Sequence, residues 1–247
     1  MQAMKLSNPG GLDKLAPAPL SPAAPGPGQI QVAVRASSLN FHDYAVVSGL
    51  IPTPDGRIPM SDGAGIVTAV GDGVTEFAEG DKVLSCFFPN WLDGGPALDK
   101  LVGVPGDHVD GFAATSVTMA AQGFTRMPDN LDFESAATLT CAGLTAWRAL
   151  MVETHLKPGD WVLVQGSGGV SVFALQFARM MGCKVIATSS SDEKLERLGA
   201  LGAHHLINYR SEPNWGDKAL EISNGRGVDL VVEVGGPGTV PLSLIHI

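Results

Sequence analysis

A chain of 247 residues with 16 Lys and Arg against 25 Asp and Glu carries a formal net charge of −9. That balance argues against nucleic acid or any other polyanion as partner, since such binding needs clustered cations. The 31 Gly and 17 Pro fall short of a low-complexity chain, and Cys86, Cys141 and Cys183 are too scattered for a disulfide framework or a thiolate zinc cluster.

The first residues lack the apolar core of a signal peptide. Short apolar runs follow, Ile30-Gln31-Val32-Ala33-Val34 and Gly65-Ile66-Val67-Thr68-Ala69-Val70. Turn clusters punctuate them at Pro25-Gly26-Pro27-Gly28, Pro54-Asp55-Gly56, Gly71-Asp72-Gly73 and Gly80-Asp81, the pattern of a barrel or sandwich. From about Pro128 the texture changes. Apolar residues recur at helical spacing from Ser135 through Trp147 and Leu150. The turn Pro158-Gly159-Asp160 leads into a strand, Trp161-Val162-Leu163-Val164, then a glycine loop, then a helix marked by Val170, Phe173, Ala174, Phe177 and Met181. The uncharged stretch from Trp161 to Ala178 contains Gln165, Ser167, Ser171 and Gln176, so it is no membrane helix, which needs about 20 apolar residues. Residues 183–188 read as a second strand, 205–209 as a third and 228–234 as a fourth, with helices around Leu195, Leu198 and Leu201 and over 215–223. Strand and helix alternate, which implies a parallel sheet. The expected architecture is α/β: a β-rich domain over 1–126 and a βαβ domain over 127–241.

The loop Gly166-Ser167-Gly168-Gly169-Val170-Ser171 stands between an apolar strand and an apolar helix. Gly166 permits a tight turn, Gly168 lets backbone approach a pyrophosphate, and the N–H groups of the helix start face the anion. Ser171 replaces the third glycine and is still small. The competing reading is a plain glycine turn. An NAD site places an acid at the second strand's tip for the ribose 2′-hydroxyl. Here the tip is Thr188-Ser189-Ser190-Ser191, with Lys194 and Arg197 beyond Asp192, which suits a 2′-phosphate. NADP is therefore expected over NAD, with Ser189, Ser190 and Lys194 at the phosphate. The alternative is a serine turn and cap with Lys194 merely solvated.

Six stretches carry a family resemblance: Ser38-Leu39-Asn40-Phe41-His42-Asp43, Asp62-Gly63-Ala64-Gly65, Gly80-Asp81-Lys82-Val83, Cys141-Ala142-Gly143-Leu144-Thr145-Ala146-Trp147, the glycine loop, and Gly227-Val228-Asp229. In this order they resemble the medium-chain dehydrogenase/reductase superfamily, the zinc-type alcohol dehydrogenases and their zinc-less quinone and enoyl reductase relatives. The resemblance implies a GroES-like catalytic domain, a partial Rossmann domain and an active site in the cleft between them. It places Asn40 at the nicotinamide region, Thr145 near the nicotinamide or its phosphate, Tyr209 and Lys194 at the adenosine end, and Gly235 among the cofactor contacts. Of the family's catalytic zinc ligands only Cys141 has a counterpart; Asn40 and Met60-Ser61-Asp62 stand where the others belong, and the region between Cys86 and Phe112 lacks a cysteine lobe. No zinc is expected. His42, beside Asp43, occupies the place of the family's proton-relay hydroxyl, and a packing role is open to it as well. Phe87, Phe88 and Trp91 would line an apolar substrate pocket, or fill the space of the absent lobe.

The resulting expectation is a cytoplasmic, NADP(H)-dependent, zinc-independent oxidoreductase that gives hydride to a quinone or an activated, enone-type double bond of a small carbonyl compound. A zinc-independent alcohol dehydrogenase and a non-catalytic dinucleotide-binding fragment are the alternatives. Only four of six Rossmann strands can be counted, and 242–247 resembles the translated transposon end used in preparing sequencing libraries. The authentic chain is thus expected to stop near Pro241, the fragment to be inactive alone, and the full-length protein to form a homodimer.

Overall fold

The computed structural model describes residues 1–246. The chain divides into two compact units, Met1–Cys141 and Ala142–Ile247.

The first unit is antiparallel. Strands β1 (Gln2–Leu6) and β2 (Leu15–Pro19) form a hairpin. Five more strands, β3 (Gln29–Ala36), β4 (Ala64–Val70), β5 (Lys82–Ser85), β6 (Ser116–Ala120) and β7 (Phe124–Arg126), make a sheet of order β6-β3-β4-β5-β7. Alternation in β3 sends Ile30 and Val32 into a core with Val67, Val83, Phe112, Val117 and Phe124, as the two-residue period of a half-buried strand requires. Gly65 is obligatory where β4 crosses β3, because a Cβ there would lie 2.3 Å from the Ala33 carbonyl oxygen. Helix α1 (Phe41–Val47) follows β3, and α2 (Phe133–Ala137) is capped by Asp132, whose side chain accepts from the Ser135 N–H at 2.7 Å.

The second unit is a parallel sheet, β8 (Trp161–Gln165), β9 (Lys184–Ser189), β10 (His205–Asn208) and β11 (Leu230–Val232), in the order β10-β9-β8-β11. Its central strand β8 is buried along its whole length, which is why it reads as a continuous apolar run rather than an alternating one. Helices α3 (Leu144–Trp147), α4 (Gly169–Met180), α5 (Asp192–Ala200), α6 (Trp215–Ile222) and α7 (Val240–Ser243) connect and flank the strands. The α/β class read from the sequence is the class found.

Two local features differ from the sequence reading. The helix expected to run through Leu150 is broken: π-type turns at Leu139–Gly143 and Arg148–Val152 flank the single α-turn of α3. The fourth strand shortens to Leu230–Val232 because Asp229 uses its carboxylate to accept from the Trp161 N–H at 2.8 Å, and the Val234 N–H turns to the Gln165 side chain at 3.3 Å. Most of the expected foreign tail is helical; Leu242 packs with the cluster of Trp161, Leu163 and Trp215, while Ile247 lies outside the described residues. No helix among the described residues is long and apolar enough to cross a membrane.

Candidate functional site

In the second unit the loop between β8 and α4 turns at Gly166, whose φ of +74° is open to glycine. A Cβ on Gly166 or Gly168 would meet nothing within 4 Å, whereas one on Gly169 would press on the Ala142 methyl at 3.1 Å. The first two glycines thus present bare backbone to open space, and the next lets the helix pack closely. Ser171 is buried, and its hydroxyl donates to the Gln165 carbonyl at 2.6 Å; a serine at this position ties the loop back to the strand. Gly168 caps the 12-residue α4 without a side-chain acceptor, so the first N–H groups of the helix are available to an anion.

A cavity of about 400 Å³ opens at the same strand tips, with Gly166, Thr188, Tyr209, Trp215, Gly235 and Thr239 in its wall. Strand order places these residues together: the Tyr209 N–H donates to the Ser189 carbonyl at 3.1 Å, so β10 ends beside β9. The serine run divides its tasks. Thr188 and Ser189 are buried, with Thr188 Oγ1 accepting from the Gly166 N–H at 3.3 Å and the Ser189 hydroxyl donating to Ser167 Oγ at 3.4 Å. Ser191 caps α5 by accepting from the Lys194 N–H at 3.4 Å. Ser190 is half-buried and Lys194 exposed. Val170 is the second residue of α4, and Thr145 on α3 is exposed.

In the first unit, Asn40 caps α1 in a capping box: its own N–H donates to Asp43 Oδ2 at 2.7 Å. Asp43 is buried and also accepts from the Ser61 N–H at 2.8 Å through Oδ1. The Asn40 amide donates to Ser61 Oγ at 3.3 Å. The capping residues at the start of one short helix therefore fix the 60–62 segment. Behind them Asp62 is fully buried; Oδ2 accepts from the Cys141 N–H at 3.3 Å, and Oδ1 has no hydrogen-bond partner. Burial pushes its carboxyl up to about 7.

His42 faces two carboxylates, Asp107 Oδ2 at 3.3 Å from Nε2 and Asp43 Oδ1 at 3.8 Å from Nδ1. Asp43 raises its proton affinity above the ordinary value, burial opposes this, and Asp107 adds to the rise. Phe87 meets the imidazole edge-on at 5.2 Å, and the aromatic contacts continue through Phe88 at 4.8 Å to Trp91 at 6.1 Å. These four rings form one half-buried ladder on the first unit.

Sequence reasoning overlooked Gln165, Glu233, Asp62 and Asp107. Gln165 and Glu233 had a signal, a polar residue closing one apolar strand and an acid in another. Asp62 stood in view as part of a segment read for its missing ligand. Asp107 had none, since its role follows from a loop folding back onto α1.

Comparison with known proteins places both units. Residues 26–129 match the alcohol dehydrogenase GroES-like domain and residues 169–246 the zinc-binding dehydrogenase family. A zinc-type alcohol dehydrogenase-like protein of Schizosaccharomyces pombe is 45% identical over 239 residues, covering 95% of this chain and 69% of that protein. The crystal structure of an NAD-dependent alcohol dehydrogenase is similar over 100% of this chain and 74% of its own, with TM-score 0.89 and 34% identity. The quinone oxidoreductase of Escherichia coli, solved in complex with NADPH, is similar over 100% of this chain and 70% of its own, with TM-score 0.85 and 28% identity.

Proposed function

The chain belongs to the medium-chain dehydrogenase/reductase superfamily of oxidoreductases, and from that premise we propose that it is an NADPH-dependent, zinc-independent reductase of quinones or enone-type double bonds. The observation that carries the cofactor assignment is the open backbone at Gly166 and Gly168 beside the start of α4 and the cavity at the strand tips. Those residues fit a dinucleotide: glycine N–H groups and the helix start hold the pyrophosphate, and the wall at Thr188, Tyr209 and Gly235 receives the nucleoside parts. Bound there, the nicotinamide supplies hydride. Half-buried Ser190 and exposed Lys194 offer a hydroxyl and a cation with no strand-tip acid to repel a 2′-phosphate, which supports NADP over NAD.

The donor set near Asn40 does not suit zinc. It offers an amide, a hydroxyl, the single thiol of Cys141 and the one carboxylate of Asp62, and among the described residues no group of three His, Cys, Asp or Glu is placed to hold a metal ion. Activation of the acceptor is accordingly assigned to hydrogen bonding. A quinone or an enone suits such a site, because its accepted charge spreads onto oxygen. We assign the aromatic ladder Phe87-Phe88-Trp91 to the apolar body of the substrate, and His42, whose proton affinity Asp43 and Asp107 raise, to proton supply. We assign Thr145 to the nicotinamide or its phosphate side, a small molecule as partner, and a cytoplasmic homodimer to the full-length protein.

A screen of the full-length protein with quinones, enals and alcohols against NADPH and NADH, with chelator present, tests the assignment. NADPH-dependent reduction of quinones or enals supports it; chelator-sensitive turnover confined to alcohols refutes it.

A further inference from the structure

The tips of β8 and β11 are joined by two side chains at the edge of the nucleotide cavity, Gln165, which is part of its wall, and Glu233. Gln165 Nε2 donates to Glu233 Oε2 at 2.6 Å and to Ser243 Oγ at 2.8 Å. Gln165 Oε1 accepts from the N–H groups of Gly235 at 3.1 Å and Val234 at 3.3 Å, and from the Thr239 hydroxyl at 3.5 Å. Glu233 Oε1 in turn accepts from Gly235 N–H at 2.8 Å, Gly236 N–H at 3.0 Å and the Thr239 hydroxyl at 2.6 Å, while Oε2 also accepts from the Ser243 hydroxyl. Every polar atom of the two side chains is engaged. The amide orientation is determined, since its oxygen meets backbone N–H groups and its nitrogen a carboxylate.

We infer that Gln165 and Glu233 are positioning residues that set the distance between the two loops walling the nucleotide cavity. Gln165 closes β8 immediately before Gly166, and its carbonyl also holds Ser171 at 2.6 Å. Glu233 follows β11 directly and precedes the turn that carries Gly235 and Thr239, both in the cavity wall. The bracket therefore grips the loop at 165–171 from one side and the loop at 233–239 from the other. Gly235 is part of it: a Cβ there would lie 2.4 Å from Thr239 Oγ1 and 3.0 Å from Gln165 Oε1, so any larger residue would force the loops apart. Burial opposes ionisation of Glu233, but hydrogen bonds from Thr239, Gln165 and Gly235, and from Ser243 of the expected foreign tail, outweigh it and lower the carboxyl to about 2; the bracket rests on the first three, which lie outside that tail.

The inference rests on the nucleotide reading, and a charge swap tests it. Glu233→Gln leaves two amides facing each other, and Gln165→Glu sets two carboxylates together; each is expected to raise the NADPH dissociation constant about tenfold or more. The double variant Gln165→Glu/Glu233→Gln restores one amide opposite one carboxylate and is expected to return within about threefold of the unmodified protein. Thr239→Val removes one hydroxyl donor without touching charge and should weaken binding about threefold, which keeps the test usable if a single swap misfolds. Affinity is read by NADPH fluorescence and melting temperature by circular dichroism on the same samples. Single variants that melt lower yet bind NADPH unchanged would overturn the positioning role, as would a double variant no tighter than either single. An unmodified protein that binds no NADPH would overturn the nucleotide reading and this inference with it.

Discussion

Asp62→Asn should change how the stability of the first unit responds to pH. The unfolded chain ionises this carboxyl near 3.8, whereas the buried one keeps its proton up to about 7. Between those values the folded state binds the extra proton, so stability falls as pH rises. The contribution is fully present below 3.8 and lost above about 7. Moving from 3.8 to about 7 is worth about 4 kcal/mol, of which about 3 kcal/mol falls between pH 5 and pH 8. The substituted amide keeps an oxygen for the Cys141 N–H and has nothing to ionise. The assay is thermal unfolding of both proteins at pH 5 and pH 8. The melting temperature of the unmodified protein should drop relative to the variant by roughly 10 °C over that interval. Parallel pH profiles would refute the reasoning, because they would show that Asp62 ionises alike in the folded and unfolded chain.

Gly168→Ala has a clear prospect of folding, with no atom within 4 Å of the added methyl, yet it should weaken NADPH binding about tenfold by filling the space for the pyrophosphate; a titration showing unchanged affinity would remove the loop from the site. Gly166→Ala adds strain at φ +74° and should lower stability by about 1 kcal/mol besides, read by denaturant unfolding. Ser190→Asp should turn a preference for NADPH into one for NADH, since a carboxylate repels the 2′-phosphate; equal affinities of the unmodified protein for both nucleotides would contradict the premise. Elemental analysis should find far less than one zinc per chain, and about one zinc would overturn the reading of Asn40 and Ser61 as non-ligands.

Glycine loops and apolar strands were legible in the sequence because their constraints are local. The run Trp161-Val162-Leu163-Val164 followed by Gly166 can hardly be anything but a buried strand meeting a tight turn, and a parallel sheet followed from the alternation with helices. Individual serines were less legible. Residues 188–191 looked uniform, but their tasks differ with position: two are buried in the strand tip, Ser191 caps α5, and Ser190 is half-buried with no capping task. The bracket of Gln165 and Glu233 joins residues 68 apart, and only the pairing of β8 with β11 brings them together. The same holds for His42 and Asp107, 65 apart. Helix continuity also misled, since the apolar period through Leu150 persists across π-type turns that shift its phase.

Hydride transfer itself is tested most directly by following an isotope. NADPH deuterated at the transferring position of the nicotinamide ring, mixed with the full-length protein, an enone and a chelator, should yield a saturated ketone carrying deuterium at its β-carbon. Deuterium at the carbonyl carbon of an allylic alcohol, or transfer that appears only when zinc is added back, would contradict the account.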